Sequence, residues 1–251
     1  MPAALRCLCL LPLALLLGAC QSLARSHGAV PQRWHTALQP AQRLVVVLPG
    51  RADDLAALER SGVVATLQRA WPDADVVLAE LRLGDYRAGD ALQRLHDSVV
   101  APARQRGYRQ LWFVGASLGG MGSVLYDRAF PGELDGIVLL APYVGEKAQH
   151  AAIRAGGGLA AWDAGPLAGV DAATWQNELW RQVQRWAREP ALGARVWLAY
   201  GDRDYLREAY PLLREAVPAE HVVVRPGAHA WAVWTPALTE LLLRIGPAAP
   251  P

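Results

Sequence analysis

Past its first twenty positions the chain has no cysteine, and in its whole length it has one lysine. Cys7, Cys9 and Cys20 are the only cysteines, so the rest of the chain can form neither an internal disulfide nor a thiolate metal cluster. With Lys147 as the single lysine, a glycine-rich phosphate loop ending in Gly-Lys has nowhere to stand. The six histidines are scattered without a His-x-x-x-His pair, which argues against a zinc site, and nothing else points to a metal or organic cofactor. An excess of charge of one sign is also missing: 25 Lys+Arg against 23 Asp+Glu leave a formal +2. Nucleic-acid binding, which needs a basic stripe to neutralise phosphates, is therefore not expected. Only 19% of residues are charged and 53% are hydrophobic, the opposite of a disordered acidic chain. The 251 residues fit one ordinary domain, or at most two small ones, with a sizeable core.

No apolar run is long enough to cross a bilayer. The longest near the start, Leu8–Leu17, is broken by Pro12 and falls short of the roughly 20 residues a spanning helix needs. With Arg6 before it, the run reads as the apolar core of a signal peptide. Leu17-Gly18-Ala19-Cys20 then resembles the bacterial lipobox, in which the cysteine thiol receives a diacylglyceryl group and the chain is cut just before it. That resemblance implies a signal peptide at 1–19, lipidation at Cys20, and membrane attachment through a lipid anchor in a bacterial cell envelope. Gln21, where an Asp would signal inner-membrane retention, is similar to the pattern of outer-membrane lipoproteins. An ordinary secretory signal with an incidental cysteine is the alternative. Residues 20–43, with Pro31 and Pro40 and no apolar run, read as a tether and irregular lead-in. Residues 246–251 read as a disordered tail.

From Leu44 the chain alternates short apolar runs with longer helical patterns, and no repeat is visible. Leu44–Leu48, Asp75–Leu81, Leu111–Gly115, Gly136–Pro142, Arg195–Tyr200 and His221–Arg225 read as six strands. Helical spacing falls at Asp53–Trp71, Ala91–Arg106, Leu118–Phe130, Tyr205–Val217 and Ala230–Ile245, where Pro236 marks a kink or the first turn. Apolar strands alternating with helices predict an α/β fold, a mostly parallel sheet covered on both faces. The rhythm fails between 144 and 190, too long a stretch for a plain connection. It closes with a Trp-rich helix at Ala173–Glu189, carrying Trp175, Leu179, Val183 and Trp186 on one side and Trp180 at the edge. Such a helix either packs on the sheet or caps a pocket; an insertion at the carboxyl ends of the strands favours the cap.

The chemistry is written at the strand ends. Gly115-Ala116-Ser117-Leu118-Gly119 matches G-x-S-x-G, with an apolar strand running in and a helical pattern running out. A nucleophile elbow needs this setting, because its tight turn leaves room only for hydrogen two positions either side of the serine. A serine hydroxyl needs a base, so an acid and then a histidine are expected downstream. The fifth strand runs into Gly201-Asp202-Arg203-Asp204, and the sixth into Gly227-Ala228-His229. Of the six histidines only His229 follows a strand after the serine. Asp53 and Asp54 read as a helix N-cap rather than as catalytic groups.

Together these segments resemble the α/β-hydrolase family of serine esterases, lipases and related enzymes, over about residues 44–245. The turn Gly201-x-x-Asp204 is similar to the family's acid turn, which assigns the acid to Asp204 over Asp202. His229-Ala230-Trp231, with Trp234 following, resembles the Gly-His-Asp-Trp ending of some carboxylesterases, from which Ala228 and Ala230 depart. The family's two leading strands are not legible, which implies a reduced six-stranded sheet with a helical cap insertion at about 144–190. Pro49-Gly50 stands where the family has His-Gly. The resemblance implies backbone oxyanion donors at Arg51 and Leu118, a Ser117–His229–Asp204 triad, and hydrolysis of a small-molecule carboxylic ester or thioester with no cofactor. An acyltransferase or amidase on the same triad, and a non-catalytic binding lipoprotein, are the alternatives. Glu146 is the fallback acid.

Overall fold

The computed structural model describes residues 25–246. Cys20, the signal segment and most of the tail lie outside the described residues. Among the described residues seven strands form, one more than the sequence suggests: β1 (Gln32–His35), β2 (Arg43–Leu48), β3 (Ala74–Ala79), β4 (Gln110–Ala116), β5 (Gly136–Leu140), β6 (Val196–Gly201) and β7 (Val222–Arg225). The extra strand is β1, inside the stretch expected to be an irregular lead-in. It pairs antiparallel with β3, from Gln32 opposite Ala79 to His35 opposite Val76. Its Gln-Arg-Trp-His sequence has no apolar run because it is an edge strand, mostly half-exposed. The apolar runs form the interior: β2 and β5 are buried at every residue. The remaining strand pairs are all parallel.

The sheet order β1-β3-β2-β4-β5-β6-β7 fixes where a site can be. The chain leaves β2 toward one edge, forms β3, and returns to the other side of β2 as β4. The change of direction opens a crevice at the carboxyl ends of β2 and β4, which carry Pro49-Gly50-Arg51 and Ser117.

The helices depart from expectation in ways their residues explain. The segment after β2 is two helices, α1 (Leu55–Arg60) and α2 (Val63–Ala70), parted at Gly62, which takes a left-handed φ of 78°. A short α3 (Leu83–Ala88) precedes α4 (Ala91–Leu95), a π-turn at His96–Val100, and α5 (Ala101–Gln105). The elbow helix α6 (Leu118–Ala129) follows β4, and α7 (Lys147–Ala155) and α8 (Trp175–Arg188) lie in the long stretch after β5. The helix expected at 205–217 shrinks to a 3₁₀ turn and a single α-turn, Tyr210–Leu213. The last helix, Trp231–Ile245, holds Pro236 in its interior rather than in its first turn.

The Trp-rich helix α8 packs along the elbow helix. Leu179, Trp180, Val183 and Trp186 are all buried. Asp127 of α6, itself buried, accepts from Gln182 Nε2 at 2.6 Å, Trp186 Nε1 at 2.8 Å and Arg195 Nη2 at 3.3 Å. Trp180 Nε1 donates to the Val144 carbonyl at 2.8 Å. Both indole N–H groups of this contact have their partners, and the indoles serve as body rather than lid. Trp175, the first residue of α8, lines a cavity together with the Val170–Ala172 segment before it.

Candidate active site

Ser117 sits at the end of β4 with φ 49° and ψ −108°, a backbone that non-glycine residues rarely adopt. Such a conformation costs on the order of 1–3 kcal/mol and persists only where its surroundings hold it. Here they do: the Ser117 N–H donates to the Leu140 carbonyl at 2.9 Å, and its own carbonyl accepts from Tyr143 N at 2.9 Å and Gly120 N at 3.0 Å. The flanking glycines are a steric requirement. A Cβ at Gly115 would lie 2.3 Å from the Gly119 carbonyl oxygen, and one at Gly119 would lie 2.3 Å from that of Leu48. The turn therefore presses the elbow helix against β2 and turns the serine toward the crevice.

Asp204 follows β6 and is fully buried. Its Oδ1 accepts from the Leu206 N–H at 2.8 Å, and its Oδ2 meets Nδ1 of His229 at 2.8 Å across 25 positions of sequence. A carboxylate on Nδ1 keeps the proton there and leaves Nε2 free to accept one. The imidazole is held from two further sides. Trp234 meets it edge-on at 4.7 Å between ring centres, and Tyr205 lies across it at 4.6 Å.

Arg51 and Leu118 both border the same cavity as Ser117. Leu118 is the first residue of α6, so its N–H has no acceptor within the helix. The Pro49-Gly50 turn runs alongside the serine: a Cβ at Gly50 would sit 3.7 Å from Ser117 Cβ. Asp53 holds that turn, accepting from Gly50 N at 3.1 Å and from Trp231 Nε1 at 2.9 Å. Asp54 alone is the N-cap, accepting from Ala57 N at 2.7 Å. Asp53 instead ties the turn after β2 to the segment that carries His229.

No protein-family model matches the sequence, and no curated protein matches it either. Solved structures do resemble it. A ferulic acid esterase superposes with a TM-score of 0.57 at 18% identity, over 83% of this chain and 85% of its own. A monoacylglycerol lipase of Paleococcus ferrophilus gives 0.57 at 15%, over 86% and 99%. A fluorophosphonate-binding serine hydrolase of Staphylococcus aureus gives 0.56 at 16%, over 90% and 88%. The chain has the α/β-hydrolase fold.

Within this α/β-hydrolase fold the two rival acids have different partners. Asp202 does not bond the histidine; its Oδ1 accepts from the Gly227 N–H at 2.8 Å. The Arg203 N–H donates back to the Gly227 carbonyl at 2.9 Å, so the Asp202–Arg203 turn clamps the base of the histidine loop. Glu146 takes the Tyr143 hydroxyl instead of an imidazole.

The cavity beside Ser117 has a volume of about 640 Å³. Leu83, Leu92, Met121, Leu125, Val170 and Trp175 give it apolar walls, while Arg51, Arg87 and Glu146 border it with charge. Tyr205 is the site residue that sequence reasoning passed over. It is 68% exposed yet lines the cavity and leans on His229. Burial and the neighbouring Asp204 carboxylate raise its phenol above the ordinary tyrosine value, while the nearby Ser117 hydroxyl and the charge of Arg51 oppose the rise. Among the described residues no hydrogen bond joins the Ser117 hydroxyl to His229, although both groups stand at the same end of the sheet. The one signal for Tyr205 in the sequence is that it directly follows Asp204.

Proposed function

We propose that this α/β-hydrolase-fold chain is a serine hydrolase that cleaves a carboxylic ester or thioester through an acyl-enzyme. The observation that carries the reading is the 2.8 Å bond between buried Asp204 and His229 Nδ1, at the same end of the sheet as the positive-φ Ser117. For reaction, the Ser117 hydroxyl meets Nε2 of His229, a contact that in unliganded enzymes is often long and tightens only with substrate. Ser117 Oγ attacks the carbonyl as Nε2 takes its proton. Asp204 fixes the tautomer and stabilises the imidazolium. The N–H groups of Arg51 and Leu118 hold the oxyanion. The imidazolium returns its proton to the leaving alcohol or thiol, and water, activated by the same histidine, releases the acid.

The apolar wall around Met121, Leu125 and Trp175 supports a small-molecule ester with an apolar or aromatic acyl group. The likeness to a ferulic acid esterase and to a monoacylglycerol lipase is in keeping with that. The Leu17–Cys20 segment supports lipidation at Cys20 and anchorage to a bacterial envelope membrane, the outer one by Gln21. A panel of esters of rising acyl length, assayed with wild type and Ser117→Ala, tests the reading. Turnover that depends on acyl length and vanishes in the variant supports it. Turnover that survives Ser117→Ala, or none with any ester, overturns it.

A further inference from the structure

The first described residues are bonded to the wall of the cavity. Asp85 of α3 is fully buried, and its Oδ1 accepts from Ser26 N at 2.9 Å, Ser26 Oγ at 2.8 Å and Arg94 Nη1 at 2.7 Å. Arg94 Nε donates to the Gly28 carbonyl at 2.9 Å, and Ser98 Oγ accepts from Val30 N at 3.3 Å. Arg25 pairs with Asp90, which stands between Gly89 and Ala91. Those two residues, with Leu83, Arg87 and Leu92 of the same segment, line the cavity beside Ser117. The segment the lead-in grips is thus one wall of the candidate active site.

Only the residues from Gln21 to Ala24 separate Cys20 from Arg25. At most ~3.6 Å per residue, that stretch reaches no more than ~18 Å, against roughly 40 Å for the width of a body this size. A lipid on Cys20 would hold the cavity side of the molecule at the bilayer and leave the far side turned away. The surface around the cavity suits that position. Tyr205 is 68% exposed, and Leu167, three positions before the cavity-lining Val170, is 78% exposed. Arg51 and Arg87 are exposed at the cavity as well, where they can meet lipid phosphates.

We propose that the lead-in is a short strap that seats the cavity on the leaflet holding the anchor, so that the substrate is an amphiphilic ester drawn from that leaflet. This rests on the serine-hydrolase reading and on lipidation of Cys20. The strap raises the effective concentration of leaflet-borne ester at Ser117 without changing the chemistry. A soluble ester gains nothing from it.

The test uses the full lipidated protein in phosphatidylethanolamine–phosphatidylglycerol vesicles. A long-chain fluorogenic ester dissolved in the bilayer and a short-chain water-soluble ester are assayed side by side. Inserting twenty Gly/Ser residues between Leu23 and Ala24 lengthens the stretch from Cys20 to Arg25 from five residue steps to twenty-five. Effective concentration falls roughly as the −3/2 power of tether length, so vesicle-ester turnover drops about tenfold. Soluble-ester turnover stays at the wild-type rate and reports that the chain is folded. The same insertion between Gly246 and Pro247 leaves both rates unchanged. An unaltered vesicle-to-soluble ratio with the strap lengthened overturns the proposal. No soluble-ester turnover in any form overturns the hydrolase beneath it, and wild-type protein that stays off the vesicles overturns the anchor.

Discussion

The two sides of the candidate site are built differently. Ser117, Asp204 and His229 follow the carboxyl ends of the parallel strands β4, β6 and β7, the first two of them almost wholly buried. The facing cavity wall is made of short pieces without regular spacing: α3, the Gly89 turn, the start of α4 and the Val170–Trp175 stretch. The chemical side demands fixed geometry and takes it from the sheet; the pocket side demands only shape. Substitutions on the chemical side should therefore act on kcat, and those on the pocket side on acyl preference.

The largest contrast lies between the two aspartates of the β6 turn. Asp204→Asn keeps the shape but favours the wrong tautomer of His229, a change that costs about ten-thousandfold in kcat in the serine-protease triad. A loss of that order is expected here. Asp202→Asn removes the carboxylate that accepts from Gly227 N–H but leaves an amide oxygen to do so, and should cost no more than about tenfold, the worth of one weakened hydrogen bond of ~1 kcal/mol. Steady-state kinetics of the pair decide it; the opposite ranking would move the acid to Asp202.

A contrast within one helix comes next. Trp186→Ala empties a buried site and removes one of the donors to the Asp127 carboxylate, so it should lower stability by about 3–5 kcal/mol in urea unfolding. Trp175→Ala, at the cavity, should cost far less stability and instead raise KM for long-acyl esters by several fold. Equal stability losses would mean that Trp175 is body as well.

The smallest effect belongs to the pocket wall and its pH dependence. Burial pushes the Asp85 carboxyl up, but the Arg82 N–H, the Arg94 guanidinium and Ser26 together hold it below the ordinary carboxylate value. A depressed folded value means that the stabilisation is complete above roughly pH 4, where the unfolded carboxyl is ionised, and is lost as pH falls through the folded value. Asp85→Asn should lower Tm at pH 7 and narrow the gap to wild type under acid. A constant gap down to acid pH would show that the charge at Asp85 is not what holds the wall.

How far this was legible in the sequence follows the same division. The five interior strands are apolar runs, and a buried parallel strand can hardly be anything else; β7, an edge strand, was legible from its Val-Val-Val run. β1 was missed because Gln-Arg-Trp-His carries no such run, being an edge whose partner supplies the order. The meeting of Asp204 with His229 follows from successive strand ends on one side of a sheet. The bond from Trp231 to Asp53 spans 178 positions, and no local pattern announces it. The tryptophans of α8 read equally well as cap or core from their spacing. What decides for core is Asp127 on another helix, placed to accept from Trp186 and Gln182.

The central claim is that Ser117 is the nucleophile, and covalent labelling reaches it most directly. Wild type, Ser117→Ala and His229→Ala are treated with a fluorophosphonate and the modified peptide is located by mass spectrometry. The account predicts one adduct per chain, on Ser117, absent from Ser117→Ala and formed far more slowly in His229→Ala. An adduct on any other residue, or an unlabelled wild type that nonetheless hydrolyses esters, would contradict it.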